Sequence, residues 1–189
     1  REAEEELMVH IEQELRKIIE AQKQINDQTL KYDGIRKTTG KFTRKEEQEV
    51  QGLSTAEITL SEICAELAKK LTEENVEVYR FVIQSVIEDM AIVSGNLKGS
   101  DTGELTQEVE QDIIRKLQDL YDAFNLKLKQ GKGGGKPGQP GKPPLVPDLV
   151  QLNLMKKMQE QILRKTQGYQ KKHPKAGADL PDAERQMLK

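Results

Sequence analysis

LRKIIEAQKQINDQTLKYD, Leu15 to Asp33, organises the reading of this chain, because a second stretch falls under it when Leu15 is laid on Leu152, a shift of 137 positions. LNLMKKMQEQILRKTQGYQ, Leu152 to Gln170, repeats Leu15, Gln22, Gln24, Ile25, Thr29 and Tyr32 as Leu152, Gln159, Gln161, Ile162, Thr166 and Tyr169, and sets Met155 against Ile18. Internal similarity of this kind indicates a unit used more than once. The competing explanation is coincidence between two helices rich in Gln, Lys and Leu. The matches favour a repeat because they fall mostly on one helical stripe.

That stripe belongs to a first helix expected over about residues 2–31. Leu7, Ile11, Leu15, Ile18, Gln22, Ile25, Thr29 and Tyr32 recur at steps of three and four, which keeps them on one face. Gln22 and Thr29 interrupt the face with polar groups. Polar residues inside a helical seam fix its register at a cost in stability; at the edge of the stripe they would simply meet water. Both placements are open at this level.

Further helices are expected over about 44–71, 77–98 and 104–129. Thr43 with Glu46 forms the capping-box pattern, with Phe42 placed to act as a hydrophobic staple. Val50, Leu53, Leu60, Cys64, Leu67 and Leu71 follow as a stripe, with Gly52 inside it as a point of close approach or a kink. Thr72 to Val78 reads as a tight break in preference to one continuous helix, since Asn75 suits a C-cap and Val76 and Val78 are poor helix formers. Val76, Tyr79, Ile83, Val86, Met90, Val93 and Leu97 alternate steps of three and four as a heptad seam. Gly34 and Gly40 mark the loop after the first helix. In the turn KGSDTGE, Gly99 stops one helix and Asp101 with Glu104 starts the next. Its stripe is Val109, Ile113, Leu117, Leu120, Phe124 and Leu128.

The run GKGGGKPGQPGKPP makes residues 131–147 a flexible Gly/Pro linker, too poor in apolar groups to fold. Residues 148–189 are expected to hold the helix of the second copy and a tail. Short connections make neighbouring helices antiparallel. The expected fold is therefore all-α: an up-and-down antiparallel bundle of long coiled-coil-like helices over 1–130, linked to a further helix.

Composition agrees with long amphipathic helices. Charged residues make up 33% of the 189, aromatics only 4%, and there is no Trp, so a compact mixed core is excluded. The net charge of −2 hides an asymmetry: through Asn125 there are 16 basic and 27 acidic residues, and from Leu126 onward 14 basic and 5 acidic. The chain opens at Arg1 and closes at Lys189 inside helical patterns, so a segment of a longer protein is expected. No apolar run approaches the ~18–20 residues that span a bilayer.

Reaction chemistry finds little purchase. Di-metal bundles need Glu-x-x-His pairs, and the two histidines, His10 and His173, do not supply them. The sole cysteine, Cys64, lies in an apolar stripe, where a free thiol is a small core group. The Gly-rich run from Gly131 lacks the spacing of a phosphate loop. Acid pairs such as Glu73-Glu74 and Glu88-Asp89 read as solvated charge. No catalytic residue, metal ligand or cofactor is assigned.

The order Gln22 to Asp33 (Q-x-x-I-x-x-x-T-x-x-Y-D), the capped helix, Glu88 to Met90 (E-D-M), Ser100 to Gly103 (S-D-T-G), the Gly/Pro linker and Leu152 to Gln159 (L-x-L-x-K-x-M-Q) resembles helix-rich, envelope-associated proteins of planctomycete bacteria with coiled-coil-like repeats. The resemblance implies an exported or periplasmic location and a structural role, and it brings no catalytic or binding residues. From the residues themselves, a non-enzymatic scaffold or protein–protein interaction segment is expected. It would work by packing the seam Ile18, Gln22, Ile25, Thr29, Tyr79, Ile83, Val86, Met90 and Val93 between helices of this chain or of partners, a homo-oligomer included. The alternative is a polyanion-binding module in the basic C-terminal third, although that third lacks the interleaved aromatics that stack nucleic-acid bases.

Overall fold

Thr43 and Glu46 behave as their spacing requires. The Thr43 amide donates to Glu46 Oε2 at 2.7 Å and the Glu46 amide to Thr43 Oγ1 at 3.3 Å, so the box opens a helix at Arg44. The computed structural model describes residues 2–73, 77–130 and 148–172. Five helices make up those residues: α1 Glu2–Thr39, α2 Arg44–Glu73, α3 Glu77–Lys98, α4 Glu104–Gln130 and α5 Asp148–Lys172. Three expected features, the centre of the break at 74–76, the Gly/Pro linker at 131–147 and the tail from 173, lie outside the described residues. The side chains of Leu128 and Tyr169 do so as well.

α1 runs eight residues beyond the end expected near Lys31, straight through Gly34. An exposed helical Gly costs up to ~1 kcal/mol relative to Ala, and here tertiary contacts outweigh it. Tyr32 is buried, donates to Glu49 at 2.8 Å and meets Phe42 edge-on with centroids 6.3 Å apart. Asp33 pairs with Lys37 at 2.7 Å, and Arg36 donates to the Ser100 carbonyl at 3.2 Å. The helix ends at Gly40, whose φ of 79° turns its amide back to the Arg36 carbonyl.

The turn after α3 corrects another expectation. Gly99 does not take the left-handed position; Ser100 does, at φ 58°. The Ser100 amide donates to the Leu97 carbonyl and the Asp101 amide to that of Asn96, the paired bonds of a Schellman stop. Asp101 makes no box with Glu104: its carboxylate accepts from the Gly103 amide at 2.9 Å.

Cross-helix bonds fix the topology. Gln22 meets Glu57 and Tyr32 meets Glu49, so α1 and α2 are antiparallel. Arg16 reaches Tyr121 and Thr29 reaches Glu110, which makes α4 antiparallel to α1 as well. Ser54 bonds to the Ser94 carbonyl, and Lys116 to Asp89, closing α2 on α3 and α3 on α4. Four helices thus form a square, with α1 and α3 diagonal. α5 lies outside it against α3 and α4, and Lys157 pairs with Asp119 at 2.7 Å. The expected all-α antiparallel bundle is what forms.

At one end the core is apolar apart from the buried Tyr79 hydroxyl. Ile11 and Leu15 of α1, Cys64, Leu67 and Leu71 of α2, Tyr79 and Ile83 of α3, and Leu120 and Phe124 of α4 are all buried there. Tyr79 packs edge-on against Phe124 at 4.6 Å. The other end mixes apolar and polar groups. Gly52 has no atom within 4 Å of where a Cβ would stand, so it marks no close approach. No helix among the described residues is long and apolar enough to cross a membrane.

Candidate functional site

The apolar stripe of α2 has a gap and that of α4 an acidic neighbour, and these two places hold the least expected residues of the core. In α2 the stripe passes from Leu53 to Leu60, and Glu57 occupies the heptad place between them. In α4, Glu110 lies beside Val109, three residues before Ile113. Both side chains are buried, Glu57 at 0% exposure and Glu110 at 1%. Reading acidic residues as solvent-facing hid them; spacing would have found Glu57, whereas Val109 already fills the stripe position beside Glu110.

α1 supplies their partners. Gln22 Nε2 donates to Glu57 Oε2 at 3.1 Å and to Asn26 Oδ1 at 3.0 Å. Two turns on from Gln22, Thr29 Oγ1 donates to Glu110 Oε1 at 2.6 Å. Gln22 and Thr29 are fully buried, so they sit in the seam and not at its wet edge. Ser54 and Thr106 extend the polar zone toward α3: Ser54 donates to the Ser94 carbonyl at 2.8 Å, and Asn96 donates to Thr106 at 3.1 Å.

No Lys or Arg among the described residues is bonded to either carboxyl. Burial disfavours their ionised forms. Burial, with a smaller contribution from Glu110, pushes Glu57 up to about 8 against the opposing bond from Gln22. Burial pushes Glu110 up to about 7 against the bond from Thr29. The layer can therefore hold protons near neutral pH. Gln22 Oε1 and Glu57 Oε1 are buried without a hydrogen-bond partner. An open groove of about 410 Å³ between α1 and α4 reaches Glu110 and is lined by Lys23, Asn26, Leu30, Gln111, Ile114 and Arg115 among others.

All nine seam residues of the sequence reading lie inside the bundle. Ile18, Gln22, Ile25 and Thr29 face inward from α1, and Tyr79, Ile83, Val86, Met90 and Val93 from α3. They pack within one chain, while Leu30, Ile58, Phe81, Ile92 and Leu105 stay exposed on the outer faces of the same four helices. Cys64 is buried, and burial with the neighbouring Glu57 pushes its thiol up to about 12, away from the reactive thiolate. His10 is exposed beside Lys70, with Nε2 3.1 Å from Nζ. Among the described residues no cluster of three or more His, Cys, Asp or Glu is placed to hold a metal ion.

α5 departs most from the repeat. Leu152, Met155, Gln159, Ile162 and Thr166, the counterparts of α1's buried stripe, are exposed, while Leu154 and Gln161 take the buried side. Leu152 is 66% exposed and Ile162 63%, whereas Leu15 is 0% and Ile25 5%. No protein family, curated protein or solved structure matches this chain.

Proposed function

We propose that this chain is a non-enzymatic helical scaffold segment that associates through the outer face of α5, and that its partner there is a second copy of the chain. One observation carries the reading: α5 is seated by Leu154 on one side and presents Leu152, Met155, Ile162 and Leu163, all at least half exposed, on the other. Single exposed apolar residues such as Leu105 and Phe81 occur on the bundle, but α5 gathers four on one helix face, and such a face favours burial against a partner. Its likeness to the stripe of α1, which packs on α2 and α4, points to helices of the same kind. Charge agrees. α5 carries six basic and two acidic residues, whereas α2 carries seven acidic and four basic and α4 six acidic and four basic. Two α5 helices would repel; α5 against the acidic bundle of another copy would not.

Light scattering across a concentration series tests this. The expected result is a mass that rises above the 21.4 kDa of one chain. The double variant Leu152→Glu/Ile162→Glu, which alters only exposed positions, should stay monomeric with unchanged helix content. A wild-type chain that remains monomeric throughout overturns the reading. A second reading, polyanion binding by the basic third, is supported by the charge balance from Leu126 onward. Part of that charge is already met within the chain, as Lys157 pairs with Asp119. Binding to an anionic vesicle or a nucleic-acid duplex that falls steeply with salt would favour it.

A further inference from the structure

The links that seat α1 in the square differ from the other links. α2 and α3 pack largely through apolar side chains, and α3 is tied to α4 by the half-buried Lys116–Asp89 ion pair at 2.7 Å. α1 shares the apolar core and reaches Glu49 and Tyr121 nearer the surface, but its buried polar links to the two helices beside it run through carboxyls: Glu57 of α2 on Gln22, and Glu110 of α4 on Thr29. In the first pair, one bond runs from the amide to Glu57 Oε2, while Gln22 Oε1 and Glu57 Oε1 remain unpartnered. Both leftover atoms accept hydrogen bonds. An ionised Glu57 offers Gln22 nothing more; a protonated Glu57 carries the one donor that can complete an acid–amide pair. Thr29 already donates to Glu110, so a proton on the other Glu110 oxygen removes a buried charge without breaking that bond.

We propose that Gln22–Glu57 and Thr29–Glu110 form a proton-dependent lock that holds α1 in the bundle while both carboxyls are protonated and releases α1 in preference to the other helices when they ionise. The groups around the layer do not supply another switch. Lys23 and Asp27 of α1 lie along the groove, Cys64 of α2 stays a thiol, Arg115 of α4 is paired with Asp112, and α3 turns apolar residues inward with Asp89 held by Lys116.

The raised values set the direction. A carboxyl whose folded pKa lies above its unfolded value stabilises the fold fully below the unfolded value and loses that contribution as pH rises to the folded one. For Glu57 the window runs from 4.5 to about 8, and for Glu110 from 4.5 to about 7. Glu14, Asp33 and Glu46 are held below the ordinary carboxyl value and Tyr32 and Tyr79 above the ordinary phenol value, so these groups do not titrate between pH 5 and 8.5.

Thermal unfolding of the full chain from pH 5 to 8.5 provides the test, run at a concentration where the mass is constant so that association through α5 does not enter. The wild type should lose on the order of 10 °C across the range. Glu57→Gln and Glu110→Gln, which keep the shape of the protonated acid, should each flatten part of the fall, Glu57→Gln the more alkaline part. Hydrogen exchange of the wild type, corrected for the intrinsic pH effect, should rise at pH 8.5 over residues 15–33 before it rises in α3. A flat wild-type profile, variants that fall as steeply as the wild type, or exchange rising equally in all helices would each overturn the lock.

Discussion

The two ends of the bundle hold the same four helices by different means. At one end Leu15, Leu67, Leu71, Tyr79, Ile83 and Phe124 form a core with little polar content; at the other Gln22, Thr29, Glu57, Glu110, Ser54 and Thr106 share the inward positions with Ile25, Val50, Val93 and Ile113. Apolar packing is strong but indifferent to register, because one methyl group substitutes for another at modest cost. A buried hydrogen-bonded pair is selective: a slip of one turn along α1 would strand two carboxyls. The apolar end accounts for most of the affinity between helices, and the polar end decides which turn faces which.

The largest way to break this comparison is to charge the shared seam. Val86→Asp with Met90→Asp places two carboxylates at fully buried positions on α3, where no partner waits. Each costs several kcal/mol, so the double variant should lose its cooperative thermal transition by circular dichroism. An unchanged transition would mean that these helices do not pack as described.

A subtler change replaces polarity by packing. Gln22→Leu with Glu57→Leu removes a buried polar pair and leaves no orphan between them. Replacing both partners of a buried hydrogen bond by apolar groups of similar shape is nearly neutral or stabilising. The variant should gain denaturant midpoint and lose the alkaline part of the pH dependence. Broadened amide resonances over α1 would sharpen the comparison by showing register lost as stability is gained. A destabilised variant with sharp resonances would assign the pair a stabilising role instead.

The smallest effect lies at the turn that caps the polar end. Ser100 adopts φ 58°, a region that favours glycine. Ser100→Gly should therefore stabilise by roughly 0.5–1 kcal/mol, read as a rise of a few degrees in Tm. No gain would mean that the hydroxyl or the added chain freedom offsets the relief of strain.

Much of this architecture was legible in the residues. Val76 to Leu97 alternates by three and four because a helix must turn one face to its neighbours, and Thr43 with Glu46 names its own helix start. Gly34 misled because local propensity is worth at most ~1 kcal/mol, and contacts on both sides of it, from Tyr32 and Asp33 before and Arg36 after, carry the helix through. Glu57 and Glu110 were missed because an acidic residue is ordinarily solvated; the heptad place betrays Glu57, while Val109 takes the stripe position beside Glu110. The likeness of α5 to α1 was visible, but its orientation was not, since a helix with apolar residues on two sides can seat either.

Sequence alone determined the helices, their order and the all-α class, because periodicity, caps and short connections are local properties of the chain. Tertiary structure decided that Gln22 and Thr29 lie in the seam, that two glutamates wait there for them, and that α5 turns its α1-like stripe outward. Those outcomes depend on which faces meet across residues 35 and 81 positions apart, and no local pattern encodes a distance in space.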